Sequence, residues 1–468
     1  MNSFTVPEQW AGGDTLEGPG EAEWWSYFGE TQLDEAIATA LSDNIDLRAA
    51  VARVEAAMQD VTIAGADLYP SADLGLSSGR QRQNFVGFPI PGGERRVLST
   101  TSSNARLGLS LNWEADVWGR VRAGKMGAVS TLEARQADLV GARLSLTAQV
   151  SKAFFTAVEA DRQAALSRAS VASYKTSTER VRARFEMGLK PALDLRLALT
   201  ELERAQALLE QRLEQRDRAV RQLEILLGGY PNGDFPLSED LPRMPERIPA
   251  GLPSQLVNRR PDVVAAERTV FSADTRVHQA QADLKPRFAL TSGTGTASQE
   301  LRDLLSYDLL VWNFVANLSQ PLFYGGRLRA NVRKSEAQAR EAAANYESLL
   351  LRAYNEVESS LAAEELLANR EEALEAATEQ AVAAQRLSEE RYRLGLTDII
   401  TLLSSQRTAL NTESELLTVR RLRLENRVNL HLALGGGFEA VPSGMRRKQS
   451  EKQEKKLTQQ QKKNGEES

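Results

Sequence analysis

An alternation of apolar and polar residues marks residues 107–113. One side of this stretch carries Leu107, Leu109, Leu111 and Trp113, and the other carries Gly108, Ser110 and Asn112. This two-residue period predicts a strand with one apolar and one polar face. No proline follows Gly119 until Pro191. The pattern therefore predicts a strand over 105–114 that leads into a very long helix over 119–187.

Helical spacing of apolar residues dominates the rest of the first half. It predicts a helix over 31–67, a short strand over 72–79, a polar loop over 80–104 and a return helix over 192–227. Residues 1–30 are predicted to be irregular. Six prolines between Pro231 and Pro253 predict a linker over 230–257.

The same motifs return in the second half of the chain. GRVRA at Gly119 recurs as GRLRA at Gly326, RFEMGL at Arg184 recurs as RYRLGL at Arg391, and Gly228-Gly229 recurs as Gly435-Gly436, each 207 residues later. A constant offset excludes insertions and deletions in the helices between these motifs. We infer an internal duplication with a first repeat over 31–229 and a second over 258–436. The second repeat is predicted to hold strands 287–296 and 309–319, a long helix 327–394 and a return helix 398–434.

Composition excludes several classes of function. The 58 basic and 63 acidic side chains nearly balance, so nothing indicates a nucleic-acid partner. The chain has no cysteine and two histidines, His278 and His431, which argues against zinc, iron–sulfur and thiol chemistry and excludes disulfides. We find no nucleophile–base pair, phosphate loop or metal spacing, and therefore predict neither an enzyme nor a cofactor.

Targeting signals are also missing from the sequence. The N-terminus shows no secretory signal pattern, so a signal peptide is either absent or already removed. No run of 18 apolar residues predicts a transmembrane helix. The lysine- and glutamate-rich tail from Met445 is predicted to be disordered.

Four strands with one apolar face cannot cross a membrane alone, because the edge strands would leave backbone groups without partners. Three chains would supply twelve strands, enough for a closed barrel with an open lumen. The apolar face would then meet lipid through Leu107, Leu109, Leu111, Trp113, Leu310, Trp312, Phe314 and Leu318. A heptad seam along helix 119–187, from Leu132 to Val181, predicts a coiled coil. The alternative is a soluble coiled-coil scaffold with a small packing sheet.

Several short motifs carry a family resemblance over residues 22–437. They are WWSYF at Trp24, DLR at Asp46, ADLYP at Ala66, WEADVWGR at Trp113, GLPS at Gly251, RRPD at Arg259, QPLF at Gln320 and GGG at Gly435. With these motifs the chain resembles the TolC-like outer-membrane efflux proteins, in particular the OprM-like (NodT-type) lipoprotein branch that serves RND-type multidrug pumps.

The resemblance implies an α+β membrane protein of a Gram-negative bacterium. A homotrimer would form a twelve-stranded β-barrel in the outer membrane, a periplasmic α-helical barrel and an equatorial belt. Residues 1–30, 230–257 and 437–468 would contribute to that belt. The protein would be a passive exit duct for drugs or other small molecules, with outer-membrane lipid, a periplasmic adaptor and an inner-membrane RND-type transporter as partners. A channel for type I protein secretion is the alternative within the same fold.

Two features depart from this branch. Its members carry an N-terminal cysteine for lipid attachment, and this chain has none, so the sequence is either trimmed or that of a protein without a lipid anchor. Relatives often place aspartates at the periplasmic constriction, at positions matching Thr401 and Ser404. Because both residues are hydroxylic here, a cation-selective carboxylate ring would be weakened.

The resemblance also assigns roles to residues near the two helix turns. Asp194 and Tyr392 match a pair that holds the tip closed, although Asp194 could simply favour the N-terminus of a helix. Asp398 could replace the missing aperture carboxylates, and Thr401, Leu402 and Ser404 are candidates for the constriction lining. Gly188, Leu189, Gly395 and Leu396 are candidates for contact with the adaptor; the glycines also suit helix C-caps.

Overall fold

The computed structural model describes residues 10–11, 23–85, 98–244 and 259–436. Seven α-helices and four strands are described in this part of the chain. In chain order they are α1 (Thr31–Asp43), α2 (Ile45–Ala66), β1 (Ser71–Phe85), β2 (Leu98–Ala115), α3 (Arg120–Glu186), α4 (Ala192–Leu226), α5 (Pro261–Ala282), β3 (Arg287–Ser298), β4 (Leu310–Ser319), α6 (Arg327–Arg393) and α7 (Ile399–Ala433). None of these helices is both long and apolar enough to cross a membrane. The predicted charged tail lies outside the described residues.

The chain divides into two compact units. The sheet unit comprises Glu55–Ala134 and Ala266–Asn345, and the helical unit comprises Met1–Val54, Arg135–Ala265 and Tyr346–Ser468. Both long helices contribute residues to each unit.

The sheet unit contains one antiparallel sheet in the order β1-β2-β3-β4. Its register pairs Leu74 with Leu109, Leu109 with Thr294, and Thr294 with Trp312. Because paired residues point to the same side of a sheet, this row defines one face. The same face carries all eight predicted lipid-facing residues: Leu107, Leu109, Leu111, Trp113, Leu310, Trp312, Phe314 and Leu318. Several of them are exposed, with Trp312 at 77%.

The first hairpin is longer than its hydrophobic pattern predicts. Residues 80–104 are predicted as a loop, but β1 continues to Phe85 and β2 begins at Leu98. The prediction was wrong because both faces become polar beyond Leu76, which removes the apolar alternation while backbone pairing continues. Arg80 pairs with Ser103, and Arg82 pairs with Thr101.

The junction between β2 and α3 is fixed by polar contacts. The Asp116 carboxylate accepts hydrogen bonds from the backbone N–H groups of Val121 (3.0 Å) and Arg122 (2.9 Å). Burial opposes ionisation of Asp116, but these hydrogen bonds and the Arg122 guanidinium lower its pKa overall. The Trp118 indole N–H donates to the carbonyl of Pro286 at 2.7 Å. These contacts anchor the chain where strand becomes helix.

The two repeats match in helix length. Helices α3 and α6 each contain 67 residues, and α4 and α7 each contain 35. Equivalent contacts also recur in the helical unit. The Asn44 amide donates to the carbonyl of Leu226 (2.9 Å), and the Arg260 guanidinium donates to that of Ala433 (3.1 Å). Leu226 and Ala433 are themselves 207 residues apart, so the repeats share tertiary contacts as well as sequence.

The predicted helix 31–67 is interrupted at Asn44. This residue has an extended backbone (φ −60°, ψ 127°), and its side chain accepts a hydrogen bond from the N–H of Leu47 at 3.0 Å. It therefore acts as the N-cap of α2. The sequence prediction missed the break because apolar spacing continues across it.

The helical unit is held together by buried apolar residues from several helices. One cluster surrounds Trp24 and includes Phe28, Leu33, Ile37, Phe154, Phe155, Val158, Leu223, Leu424 and Val428. A second lies near the helix turns and includes Tyr174, Val181, Ala198, Tyr392, Ile399 and Leu402. The predicted heptad seam of α3 contributes Leu146 to the first cluster and Tyr174 and Val181 to the second. Long helices depend on such packing for stability.

His431 is buried in α7 next to the Trp24 cluster. Its ring stacks on Trp24, with centroids 4.8 Å apart, and it is 3% exposed. Burial, with a smaller contribution from the Arg427 charge, lowers the pKa of His431 to about 3. The imidazole is therefore neutral at physiological pH and serves as a packing residue.

The low pKa of the buried His431 makes the free energy of unfolding depend on pH. The unfolded chain binds a proton at His431 near pH 6.5, whereas the folded protein does so only near its pKa of about 3. The contribution of His431 to the free energy of unfolding should therefore fall by about 1.4 kcal/mol for each pH unit between 6.5 and about 3. We expect His431→Phe, which keeps the stack, to reduce the drop in melting temperature between pH 7.5 and 5. An equal drop in both proteins would contradict this expectation.

Candidate functional site at the helix turns

Two helix turns, at residues 187–191 and 394–398, lie in the helical unit. Each follows a long helix and ends it with the same hydrogen bonds. Leu189 N–H donates to the carbonyl of Arg184 (2.8 Å), and Leu396 N–H donates to that of Arg391 (2.9 Å). The intervening Gly188 and Gly395 have φ of 74° and 78°, a conformation that favours glycine. The turns leave Leu189 and Leu396 about two-thirds exposed, at 67% and 66%.

Arg184 joins the two turns. Its guanidinium donates to the carbonyl oxygens of Tyr392 (3.0 Å) and Arg393 (2.7 Å), at the C-terminal end of α6. Helix-terminal carbonyls carry partial negative charge and often lack an intrahelical donor. A cation from α3 therefore satisfies the end of α6. The arrangement is one-sided: Arg391, the counterpart of Arg184 in the second repeat, is exposed and donates no side-chain hydrogen bond to the described residues at the end of α3.

Tyr392 lies between two cations. Its ring centroid is 5.3 Å from Arg184 Cζ and 5.7 Å from Lys190 Nζ, distances typical of cation–π contacts. Burial raises the pKa of Tyr392, although the Arg184 charge opposes this shift. The phenol is therefore neutral at physiological pH. Its hydroxyl is buried and makes no hydrogen bond with a described residue.

Asp194 lies in the first turn of α4 and faces Lys190. The carboxylate and ammonium are 3.8 Å apart, at the outer limit of an ion pair. No hydrogen bond joins Asp194 to Tyr392 among the described residues. Asp194 and Tyr392, the pair that the resemblance implies, are therefore not hydrogen-bonded to each other here. Lys190 is close to both side chains.

Asp398 caps the N-terminus of α7. Its carboxylate accepts a hydrogen bond from the N–H of Thr401 at 2.7 Å, and this bond lowers its pKa. Asp398 is therefore a carboxylate at physiological pH. Like Thr401 and Ser404 in the first two turns of α7, it is exposed.

Leu402 requires a correction. It was predicted with Thr401 and Ser404 as a constriction-lining residue, but it is 2% exposed and lies in the cluster that contains Tyr392. Residues 401 and 404 are three apart and share one helix face, whereas 402 is turned by about 100° from 401. Leu402 packs the turn from inside and does not line a surface of the chain.

Gln406 is a candidate that sequence reasoning missed. It is 4% exposed, and its amide nitrogen lies 2.9 Å from Ser173 Oγ, 3.1 Å from Ser177 Oγ and 3.2 Å from a Glu389 carboxylate oxygen. This group, which we term the Gln406 node, joins α3, α6 and α7 one helical turn beyond Leu402. Its sequence signal is a polar residue at the fourth position of the stripe Ile399, Leu402, Leu403, Gln406.

Comparisons with known proteins identify the class. The profile of the family described as "Outer membrane efflux protein" matches residues 36–229 and 252–436. The chain is 32% identical over 446 residues to outer membrane protein OprJ of Pseudomonas aeruginosa, covering 93% of this chain and 91% of OprJ. It is 31% identical to the toluene efflux pump outer membrane protein TtgF of Pseudomonas putida, covering 90% of this chain and 87% of TtgF. The solved outer-membrane channel OprN superposes with a TM-score of 0.83 at 27% identity, covering 93% of this chain and 98% of that structure.

The chain belongs to the outer membrane efflux protein family. It is a TolC-like outer-membrane channel protein that extends into the periplasm and provides the exit duct of an efflux pump. The family consists of channels and not of enzymes. The identification excludes the soluble scaffold considered from sequence.

Proposed function

We propose that three copies of this chain form a duct that conducts small molecules from a periplasmic adaptor and an inner-membrane RND-type transporter to the cell exterior. The supporting observation is the open four-stranded sheet. Its edge strands, β1 and β4, have no second partner among the described strands, and one face carries exposed apolar residues. Three such sheets joined edge to edge would give twelve strands and satisfy every edge.

The helix turns would form the periplasmic tip. Exposed Leu189 and Leu396, beside Gly188 and Gly395, would contact the adaptor. Asp398 with Thr401 and Ser404 would line the aperture, since all three are exposed within the N-cap and first two turns of α7.

The closed tip would be held by contacts between the α3–α4 hairpin and the α6–α7 hairpin. These are the two hydrogen bonds of Arg184, the Lys190–Asp194 pair against Tyr392, and the Gln406 node. Opening would separate these helices, so a partner that binds the separated form more tightly would shift the population toward it.

A cysteine-pair experiment tests the trimer, and the absence of native cysteine leaves no background. Ser77→Cys on β1 would be combined in turn with Val311→Cys, Asn313→Cys, Val315→Cys and Asn317→Cys on β4, all on the polar face. We expect at least one combination, after oxidation in membranes, to give a covalent ladder that ends at three chains on a denaturing gel.

Ser78→Cys, on the opposite face of β1, is the matched control and should cross-link less in the productive combination. A ladder that stops at two chains or continues beyond three would contradict the trimer. Failure of every combination, with both cysteines reactive toward a soluble maleimide, would contradict edge pairing.

The partners and cargo class can be tested with the cross-linked duct. Co-purification from native membranes should yield a periplasmic adaptor and an RND-type transporter. Recovery of a protein-exporting ATPase would instead favour type I secretion. A small-molecule cargo is supported by the TtgF relative, whose name specifies toluene efflux.

A further inference from the structure

Two arginines lie on the apolar face of the sheet, beyond its apolar rows. Arg80 and Arg82 are exposed residues of β1, and alternation places both on the same face as Leu74 and Leu76. The extended hairpin is what brings them there, since both fall in the segment that the hydrophobic pattern predicts as a loop. Their cross-strand partners on this face are the small polar residues Ser103 and Thr101.

Their height on the sheet follows from the register. Leu76, Leu107 and Leu310 share the last apolar row toward the distal end of the hairpin. Arg80 lies four residues beyond that row, about 13 Å along the strand, and Arg82 about 7 Å farther. Because β1 begins just after α2 and β2 ends just before α3, the two arginines lie at the end of the sheet opposite these connections. In an outer-membrane duct this end faces the outer leaflet.

Neither arginine has an acidic partner within the described residues. Arg82 Nη2 donates only to the Ser99 hydroxyl, at 3.0 Å. They differ in this from arginines of the same unit that do form ion pairs, such as Arg120 with Glu114 (2.9 Å) and Arg287 with Asp283 (2.6 Å). Within the described residues, Arg80 and Arg82 therefore present two guanidinium groups without a carboxylate partner, on Cα atoms about 7 Å apart and just beyond an apolar surface.

Guanidinium groups at this height match the chemistry of a lipid phosphate. Arginine binds phosphate oxygens through paired N–H donors, and its long stem can lie along apolar surface while its charge reaches the headgroup layer. We propose that Arg80 and Arg82 bind phosphate groups of a phosphorylated glycolipid of the outer leaflet, with lipid A as the probe. The proposal rests on the lipid-facing assignment made under the proposed function.

Arg106 provides a matched control within the same sheet. It lies on β2 opposite Ser77, on the polar face, and is also exposed. The intact protein, the Arg80→Gln/Arg82→Gln double variant and Arg106→Gln would be purified in detergent. Each would be titrated with bisphosphorylated lipid A, dephosphorylated lipid A and phosphatidylglycerol, and bound lipid would be counted by native mass spectrometry.

We expect the double variant to bind bisphosphorylated lipid A at least about tenfold more weakly, on the scale of one basic contact per phosphate. Arg106→Gln should bind as the unmodified protein does, and dephosphorylated lipid A should bind all three proteins alike. If the double variant binds bisphosphorylated lipid A as tightly as the unmodified protein, the proposal is overturned. If it loses phosphatidylglycerol binding to the same extent as lipid A binding, the assignment to the glycolipid is overturned. The β1–β4 cross-linking ladder, measured on the same proteins, reports separately on the proposed trimer.

Discussion

Replacing Arg184 with glutamine is expected to raise the open probability of the duct about tenfold in planar bilayers. The guanidinium makes two charge-assisted hydrogen bonds, to the carbonyls of Tyr392 and Arg393. Hydrogen bonds of this kind contribute about 1.5–3 kcal/mol each, and 1.4 kcal/mol already changes an equilibrium tenfold. Losing them would favour the separated form of the tip.

Tyr392→Phe tests which contact holds the tip closed. If Asp194 and Tyr392 hold it closed as a pair, the phenol hydroxyl would be the essential group. That hydroxyl has no described hydrogen-bond partner, whereas its ring remains in place in the phenylalanine variant. We therefore expect Tyr392→Phe to change open probability less than about twofold. Arg182→Gln, an exposed residue of the same helix, is the charge control. If Tyr392→Phe opens the duct and Arg184→Gln does not, then the hydrogen bonds of Arg184 do not hold the tip closed.

The second large effect concerns an ion pair between α6 and α7. Arg427, which is 3% exposed, donates to Glu364 at 2.6 Å. In the first repeat the positions 207 residues earlier hold Val220 and Ala157, both fully buried. The first repeat therefore has two apolar residues at the positions where the second repeat has the ion pair.

Glu364→Ala alone should destabilise the protein by about 3 kcal/mol, since it removes the carboxylate that pairs with the buried guanidinium of Arg427. The double variant Glu364→Ala/Arg427→Val copies the first repeat and should recover more than half of that loss. Thermal unfolding of the detergent-solubilised protein would show the difference as a smaller fall in melting temperature. Arg427→Val alone completes the comparison. If the double variant loses as much stability as the two single variants together, the pair does not act as a unit.

Periodicity served well where one face of an element is uniformly apolar. The return helix was predicted over 192–227 and is observed at Ala192–Leu226. Periodicity failed at Asn44 and beyond Leu76, for two different reasons. At Asn44 a side chain ends one helix and starts the next without disturbing the apolar spacing. Beyond Leu76 the backbone stays paired although its side chains are polar.

The candidate site was predictable in its turns but not in its contacts. Gly188 and Gly395 follow from sequence because a left-handed helix end favours glycine. Arg184 did not, because its partners are backbone carbonyls about 208 residues away, which no local pattern reveals. Leu402 was misassigned because proximity in sequence to Thr401 and Ser404 says little about orientation on a helix.

The equal lengths of the paired helices restrict how this chain could have changed since its duplication. A residue gained in α3 alone would displace the turn at Gly188 and turn every later side chain of that helix by about 100°. To restore the position of the turn and the orientation of the side chains, α4, α6 and α7 would each need a matching insertion. Together with the insertion in α3, that makes four insertions. The strands carry no such constraint: β1 has 15 residues and its counterpart β3 has 12, and β2 has 18 and its counterpart β4 has 10. Descendants of the ancestral half could thus diversify their hairpins freely while inheriting one fixed helical span.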